Sequence, residues 1–177
     1  MLVDSSALIP LIRVGRLSLL RELYGKVRTT RDVYRECVEE GAGRPGQAAL
    51  ETAFGEWIEI VASPRGTRRL RASEDVELAD ASLLAACGDT GEEPLSNDYH
   101  LLRVARARGV RGRWLTSAIL EATRKGLLTS EEAKDLMGQL VREGMRLSPE
   151  VFATVLTALQ RIGEANGGGA RKPHRRG

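Results

Sequence analysis

Short apolar runs alternate with longer amphipathic stretches up to Leu115, and this alternation constrains the fold more than any other feature of the chain. Because apolar runs of this length are typical of buried strands, the pattern predicts five strands, at Met1–Asp4, Lys26–Thr29, Trp57–Val61, Pro94–Ser96 and Gly112–Leu115. The intervening stretches predict helices, at Ala7–Tyr24 with a break near Gly15, Arg31–Glu40, Gly46–Phe54, Asp75–Cys87 and Tyr99–Arg108. Strands and helices that alternate in this way predict an α/β fold with a parallel sheet.

The pattern becomes helical throughout after Leu115. We predict three further helices, at Ser117–Lys125, Ser130–Arg142 and Pro149–Ile162. A chain of 177 residues suits one core, so residues 1–115 form the α/β unit and residues 116–163 a helical extension of the same domain. The Gly-rich and Arg-rich segment at residues 164–177 predicts a disordered basic tail.

The net charge of +3 lies in that tail, which holds four basic residues and one acid, so the rest of the chain is neutral. Charge alone therefore does not establish a nucleic-acid partner. Cys37 and Cys87 are too few for a disulfide framework or an all-cysteine zinc site. No segment approaches the apolar length of a membrane span, and we expect a cytoplasmic protein without a membrane partner.

Four acidic residues stand at informative places in this pattern. Asp4 ends the first predicted strand and Asp98 follows the fourth, and these strands are neighbours in a doubly wound sheet. Glu36 and Asp80 interrupt apolar helical surroundings, where a charge without a partner is costly. Carboxylates that converge repel one another unless a cation neutralises them. Oxygen ligands favour Mg²⁺ or Mn²⁺, and such a site suits phosphodiester hydrolysis.

Each acid also has an ordinary interpretation. Asp4 and Asp98 could simply cap the helices that follow them. Glu36 and Asp80 could be exposed acids on helix surfaces, as most acids are. Those interpretations leave unexplained why all four coincide with the ends and turns of one α/β unit. Glu77 lies one helical turn before Asp80 and could assist or replace it.

The segments around these acids resemble the successive acidic motifs of PIN domains. The matching segments are Asp4-Ser5-Ser6, Val33-x-x-Glu36, Leu78-Ala79-Asp80-Ala81-Ser82-Leu83-Leu84-Ala85 and Ser96-Asn97-Asp98-Tyr99. Further along, Gly126-Leu127-Leu128 and the segment at 143–148 resemble the helical C-terminal extension of a prokaryotic PIN-like subgroup. The resemblance implies a three-layer fold with a sheet of about five parallel strands in the order 3-2-1-4-5, flanked by helices.

The same resemblance implies a metal-dependent endoribonuclease that uses Mg²⁺ or Mn²⁺. It implies that the catalytic and metal-binding acids are Asp4, Glu36, Asp80 and Asp98. Ser6 matches a hydroxyl that often supports the first acid, whereas Asn97 stands where many relatives carry Asp. The resemblance also implies a homodimer, and it suggests a toxin whose partner is a small antitoxin-like protein.

Arginines supply two further candidate features. We place Arg65, Arg68, Arg69 and Arg71 in a loop after the third strand, where they could hold an RNA backbone or simply form a solvated connector. A second group is predicted to face the acids of neighbouring helices, and it comprises Arg103, Arg106, Arg108, Arg111 and Arg113.

Two other functions remain open from the sequence. The chain could be a catalytically weak PIN-like module that binds RNA or protein, and Asn97 favours this alternative. It could also be a Mg²⁺-dependent phosphatase on a related fold. That alternative usually requires a second acid two residues after the first, where this chain has Ser6.

Overall fold

A computed structural model of the chain describes residues 1–40, 43 and 45–168. Its centre is a sheet of five parallel strands in the order β3-β2-β1-β4-β5, as the sequence predicted. The strands are β1 (Leu2–Val3), β2 (Val27–Thr30), β3 (Ile58–Val61), β4 (Pro94–Ser96) and β5 (Arg113–Trp114). The central strand β1 pairs with β2 on one side and with β4 on the other, so the strand order reverses at β1.

Helices cover the sheet and form the C-terminal extension. They are α1 (Ser5–Arg13), α2 (Ser18–Tyr24), α3 (Arg31–Tyr34), α4 (Gln47–Glu56), α5 (Thr67–Glu74), α6 (Leu78–Thr90), α7 (Tyr99–Ala107), α8 (Leu115–Arg124), α9 (Ser130–Arg142) and α10 (Pro149–Gly168). Helix α3 continues as a π-helical turn at Arg35–Glu39. Within the ranges that the structure describes, no helix is both long and apolar enough to cross a membrane.

The core lies on both faces of the central strands. Leu2, Val3 and Leu95 have no exposed surface, as expected for a parallel sheet with helices on each side. Cys37 and Cys87 are buried and unpaired, and burial raises the pKa of both thiols. They act as small apolar residues of the core.

The C-terminal extension packs against the α/β unit and reaches the carboxyl end of its sheet. Met137 and Leu140 of α9 are fully buried. The loop between α9 and α10, residues 143–148, is attached at two points. The Arg13 guanidinium donates to the Glu143 carbonyl at 3.2 Å, and the Asn97 side-chain amide donates to the Arg146 carbonyl at 3.2 Å. This loop therefore lies beside the ends of β1 and β4.

The predicted loop after β3 is short and contains Arg65, whereas Arg68, Arg69 and Arg71 lie on helix α5, so the prediction of a loop was wrong for those three. Thr67 donates to the Pro64 carbonyl through both its backbone N–H and its hydroxyl, which starts α5. Thr67 and Leu70 are buried one turn apart, against α6. The remaining positions of α5 are mainly polar, so its apolar stripe was too narrow to identify from the sequence.

Helix α10 also continues beyond its predicted end at Ile162. It runs to Gly168, so residues 164–168 are helical and not disordered as expected. Its start and middle are anchored, because Ser148 Oγ accepts from the Val151 N–H and Ser130 Oγ donates to the Leu159 carbonyl. Once a helix is anchored, each further residue adds a hydrogen bond at little cost. The rest of the predicted tail, residues 169–177, lies outside the described residues.

Candidate active site

One cleft of about 430 Å³ contains all four acids that the sequence singled out. It opens at the carboxyl ends of β1 and β4, which lie side by side because Val3 pairs with Leu95. Its predicted residues are Asp4, Ser6, Glu36, Glu77, Asp80, Asn97 and Asp98. The fold therefore brings together residues from four separate segments of the chain.

Asp4 is the most buried of the four acids, with 1% of its surface exposed. It is the N-cap of α1, and its Oδ2 accepts from the Ser6 N–H at 3.2 Å, from the Ser6 hydroxyl and from Ser96 Oγ at 2.8 Å. Its Oδ1 has only a long contact of 3.4 Å from Ser5 Oγ. One carboxylate oxygen is thus held by three donors, and the other keeps capacity for a further partner.

Serine hydroxyls join the ends of β1 and β4. Ser6 Oγ accepts from the Asn97 N–H at 2.8 Å and lies 3.0 Å from Ser96 Oγ. Ser96 Oγ in turn accepts from the Asp98 N–H at 2.9 Å. The sequence identified Ser6 but missed Ser96, although a serine that ends a buried strand one residue before a polar pair was a usable signal.

Glu36 lies in the π-helical turn that follows α3. Its Oε1 accepts from Ser5 Oγ at 3.0 Å, so Ser5 stands between this acid and Asp4. Burial raises the pKa of Glu36, and the negative charge of Asp4 raises it further. Single π-helical turns occur frequently at functional sites.

Asp80 lies in the first turn of α6 and is the acid most perturbed by its surroundings. Its pKa is raised to about 7, chiefly by burial and further by the negative charges of Asp4, Asp98 and Glu36. A hydrogen bond from the backbone of Glu77 lowers the pKa of Asp80 and offsets part of this shift. Because the charges of the other three acids all act on Asp80, the four carboxylates form one electrostatic cluster.

The remaining predicted residues lie at the rim of the cleft. Asp98 is exposed and caps α7, where its Oδ1 accepts from the Leu101 N–H at 2.9 Å. Glu77 is exposed and precedes α6 without capping it through its side chain. Asn97 Oδ1 is buried and has no hydrogen-bond partner among the described residues. An unpaired buried oxygen beside a cluster of acids would be satisfied by a cation.

The donor chemistry fits a hard divalent ion, but the acids do not converge on one point. Across residues 1–40, 43 and 45–168, no three His, Cys, Asp or Glu side chains are close enough to hold a metal ion together. Three features of the cleft nevertheless suit such an ion. All its donor atoms are oxygens, the pKa of Asp80 is raised, and Asp4 Oδ1 and Asn97 Oδ1 can each accept a further partner.

Two arginines of this cleft were missed from the sequence. Arg13 extends from the last turn of α1, and Arg146 comes from the loop at 143–148. The place of Arg146 in the cleft depends on how the C-terminal extension packs, which no local sequence pattern indicates. Of the arginines predicted after β3, Arg68 and Arg71 line a neighbouring cleft that also contains Glu77. The acid cleft itself is lined by none of the predicted four.

The strand order and the acids at this edge of the sheet agree with one family comparison. A DUF3368 family model, described as a PIN domain, matches residues 1–161. The chain belongs to the PIN-domain family. PIN domains are generally nucleases and typically use divalent metal ions. No curated protein and no solved structure matches this PIN domain. The family match runs from β1 into α10, so it includes the loop that carries Arg146.

Proposed function

We propose that this PIN domain is a metal-dependent endoribonuclease that hydrolyses RNA phosphodiester bonds. The observation that carries the proposal is the cleft itself. Four acids from four segments line it at the switch point of the sheet, and their mutual repulsion adds to the burial that raises the pKa of Asp80 to about 7. A cluster that is unfavourable when it is fully ionised gains most from a bound cation.

We assign the metal-binding role to Asp4, Glu36, Asp80 and Asp98. One or two Mg²⁺ or Mn²⁺ ions would supply a water of lowered pKa and would stabilise negative charge on the phosphate. Asp4 offers Oδ1, because serine hydroxyls and the Ser6 N–H already occupy its Oδ2. Glu36 and Asp80, whose pKa values are raised, would be held in the ionised form by the cation.

The two arginine side chains of the cleft have a complementary role. Arg13 and Arg146 line the same cleft as the acids, and the loop at 143–148 is held there by its attachment to Arg13 and Asn97. Guanidinium groups bind phosphate oxygens through paired N–H donors. We propose that these two arginines position the scissile phosphate. The hydrolysis itself requires no covalent intermediate with the enzyme.

One observation favours a second candidate function. Asn97 stands where many PIN domains have an acid, and among the described residues no three acids reach ligating distance of a common point. A domain with weak metal affinity could bind RNA or a protein without cleaving RNA. The experiment below distinguishes this alternative from the first proposal.

The deciding experiment measures cleavage of a labelled single-stranded RNA with Mn²⁺, with Mg²⁺ and with a chelator. The variants are Asp4→Asn, Asp98→Asn and the double variant, with the exposed Asp135→Asn as the matched control. We expect each site variant to lose cleavage and the double variant to be scarcely worse, because residues that act as a unit are not additive. Circular dichroism checks that the variants fold.

Two results would count against the proposal. Cleavage by Asp98→Asn at the wild-type rate would remove the assigned site. A wild-type protein that binds the RNA but does not cleave it with either metal ion would favour the second candidate. A toxin role with a small antitoxin-like partner and a homodimeric state remain family-level proposals. Co-purification with the product of the neighbouring gene and analytical ultracentrifugation would test them.

A further inference from the structure

A second cleft of about 480 Å³ lies beside the acid cleft, on the β5 side of the sheet. Its lining combines two aromatic rings with three arginines and contains no acid. The residues that matter here are Tyr99, Arg103, Arg106, Arg111 and Trp114.

The register of the sheet places the two clefts next to each other. Ser96, at the end of β4, pairs with Trp114, at the end of β5. Tyr99 begins α7 and directly follows Asp98 of the acid cleft. Because β4 and β5 are parallel, Trp114 lies at the same edge of the sheet as the acids. A single RNA strand could therefore run along this edge of the sheet from one cleft to the other.

The charges of the second cleft differ from what the sequence predicted. Arg108 and Arg113 do face acids, since Arg108 contacts Glu74 at 2.9 Å and Arg113 contacts Glu121 at 2.7 Å. Arg103 and Arg106 do not, and their side of α7 carries no ion pair in the part of the chain that the structure describes. Arg103 has instead a 3.5 Å contact with the imidazole of His100.

Arg111 adds a third cation that is only weakly engaged. Its guanidinium lies 4.0 Å from Glu93, and its side chain is 87% exposed. Ion pairs of this length and exposure contribute little and exchange readily. Three guanidinium groups around one cleft thus form a local positive site, although the folded part of the chain is close to neutral.

The aromatic pair completes the site. Tyr99 is 68% exposed, and it stacks on Trp114 with ring centroids 6.5 Å apart and planes inclined by 28°. Exposed rings among cations are typical of surfaces that bind single-stranded nucleic acids, because each base offers a face for stacking. The ring faces would hold bases while the arginines hold phosphates.

We propose that this second cleft binds single-stranded RNA, with a base on Tyr99 and phosphates on Arg103 and Arg106, and leads the strand into the acid cleft. The inference rests on the proposed nuclease function, and it adds the place where the RNA strand binds outside the acid cleft. An acidic peptide would match the arginines but would gain nothing from the stacked rings. Such a peptide would also be repelled by the carboxylates of the neighbouring acid cleft.

The test measures binding of a fluorescein-labelled RNA of about 12 nucleotides by anisotropy, in EDTA so that no cleavage occurs. The full chain is compared with Tyr99→Ala, Tyr99→Phe and the double variant Arg103→Ala plus Arg106→Ala. The matched control is Arg124→Ala plus Arg161→Ala, which removes two exposed arginines outside both clefts. A labelled poly-glutamate peptide is titrated in parallel.

We expect Tyr99→Ala to weaken RNA binding about tenfold and Tyr99→Phe to leave it unchanged, because stacking needs only the ring. The double arginine variant should flatten the dependence of log affinity on log salt by about 1.4, which corresponds to two lost phosphate contacts. The control double variant should bind as the wild type does.

The outcomes separate this inference from the nuclease proposal. Equal RNA affinity in Tyr99→Ala, the double arginine variant and the wild type would overturn the inference, even if Mn²⁺-dependent cleavage is observed. Tighter binding of the acidic peptide than of RNA would overturn it in favour of a protein partner. The expected binding losses without any cleavage by the wild type would support the RNA cleft and contradict the nuclease activity.

Discussion

Replacing Asp80 with Asn should stabilise the metal-free protein, and the gain should grow as the pH rises from about 4 to about 7. Asp80 has its pKa raised from 3.8 to about 7 by burial and by the charges of Asp4, Asp98 and Glu36. Each pKa unit corresponds to about 1.4 kcal/mol, so ionised Asp80 costs at most about 4 kcal/mol of folding free energy. Because Asp80 is only partly buried, solvent screening reduces our expected value to about 2 kcal/mol.

The pH dependence follows from the direction of the shift. Below about pH 4 the carboxyl of Asp80 is protonated in both the folded and the unfolded chain, so its ionisation costs nothing. Between about pH 4 and pH 7 the folded protein retains a proton that the unfolded chain loses, and stability falls as the pH rises. Above about pH 7 the whole cost is present. The side-chain amide of the Asp80→Asn variant does not titrate, so the variant escapes this loss.

Urea unfolding in EDTA at several values between about pH 4 and pH 8 measures the effect. The difference in unfolding free energy between Asp80→Asn and the wild type should grow by about 2 kcal/mol across that range. The exposed Asp135→Asn, on α9, is the matched control and should show no such growth. A difference that stays constant with pH would refute the claim that the acid cluster strains Asp80.

Three further predictions concern the same cleft. Mn²⁺ at about 100 times its dissociation constant should stabilise the wild type by about 2.7 kcal/mol, and calorimetry should show no such gain for Asp4→Asn plus Asp98→Asn. Ser96→Ala removes a buried hydroxyl bonded to Asp4 and Asp98 and should cost about 1 to 3 kcal/mol in urea unfolding, whereas the exposed Ser117→Ala should cost less than about 0.5 kcal/mol. Arg146→Ala should lower the rate of RNA cleavage at saturating substrate without unfolding the protein, and an unchanged rate would remove Arg146 from phosphate positioning.

The sheet and the positions of the acids could be predicted because each depends on a local pattern. Buried parallel strands appear as short apolar runs, and an acid directly after such a run lies at the carboxyl edge of the sheet. This reasoning placed Asp4 and Asp98 together, and the pairing of Val3 with Leu95 agrees with it. The strand boundaries differed by a residue or two, which did not alter the site.

The parts that could not be predicted depend on packing between distant segments. Arg146 reaches the cleft because α8, α9 and α10 pack together and return the loop at 143–148 to the sheet edge. The arginines of α5 were assigned to a loop because Leu70 was the only strongly apolar residue to mark its buried face. The second cleft combines residues of α7 and β5, whose proximity follows only from the strand order.

Asp4 and Asp98 do cap helices, and this ordinary role is compatible with a place in the active site, whereas Glu36 and Asp80 are partly buried and not the exposed acids of the ordinary interpretation. In a parallel sheet each strand is followed by a helix whose N-terminus lies at the carboxyl edge. Asp4 therefore caps α1, Asp98 caps α7, and Asp80 lies in the first turn of α6. A helix N-terminus favours a nearby carboxylate by about 0.3 to 1 kcal/mol. These helix ends and the serine hydroxyls offset part of the repulsion among the acids. The offset is incomplete at Asp80, whose pKa remains raised, and that residual repulsion is what a bound cation would relieve.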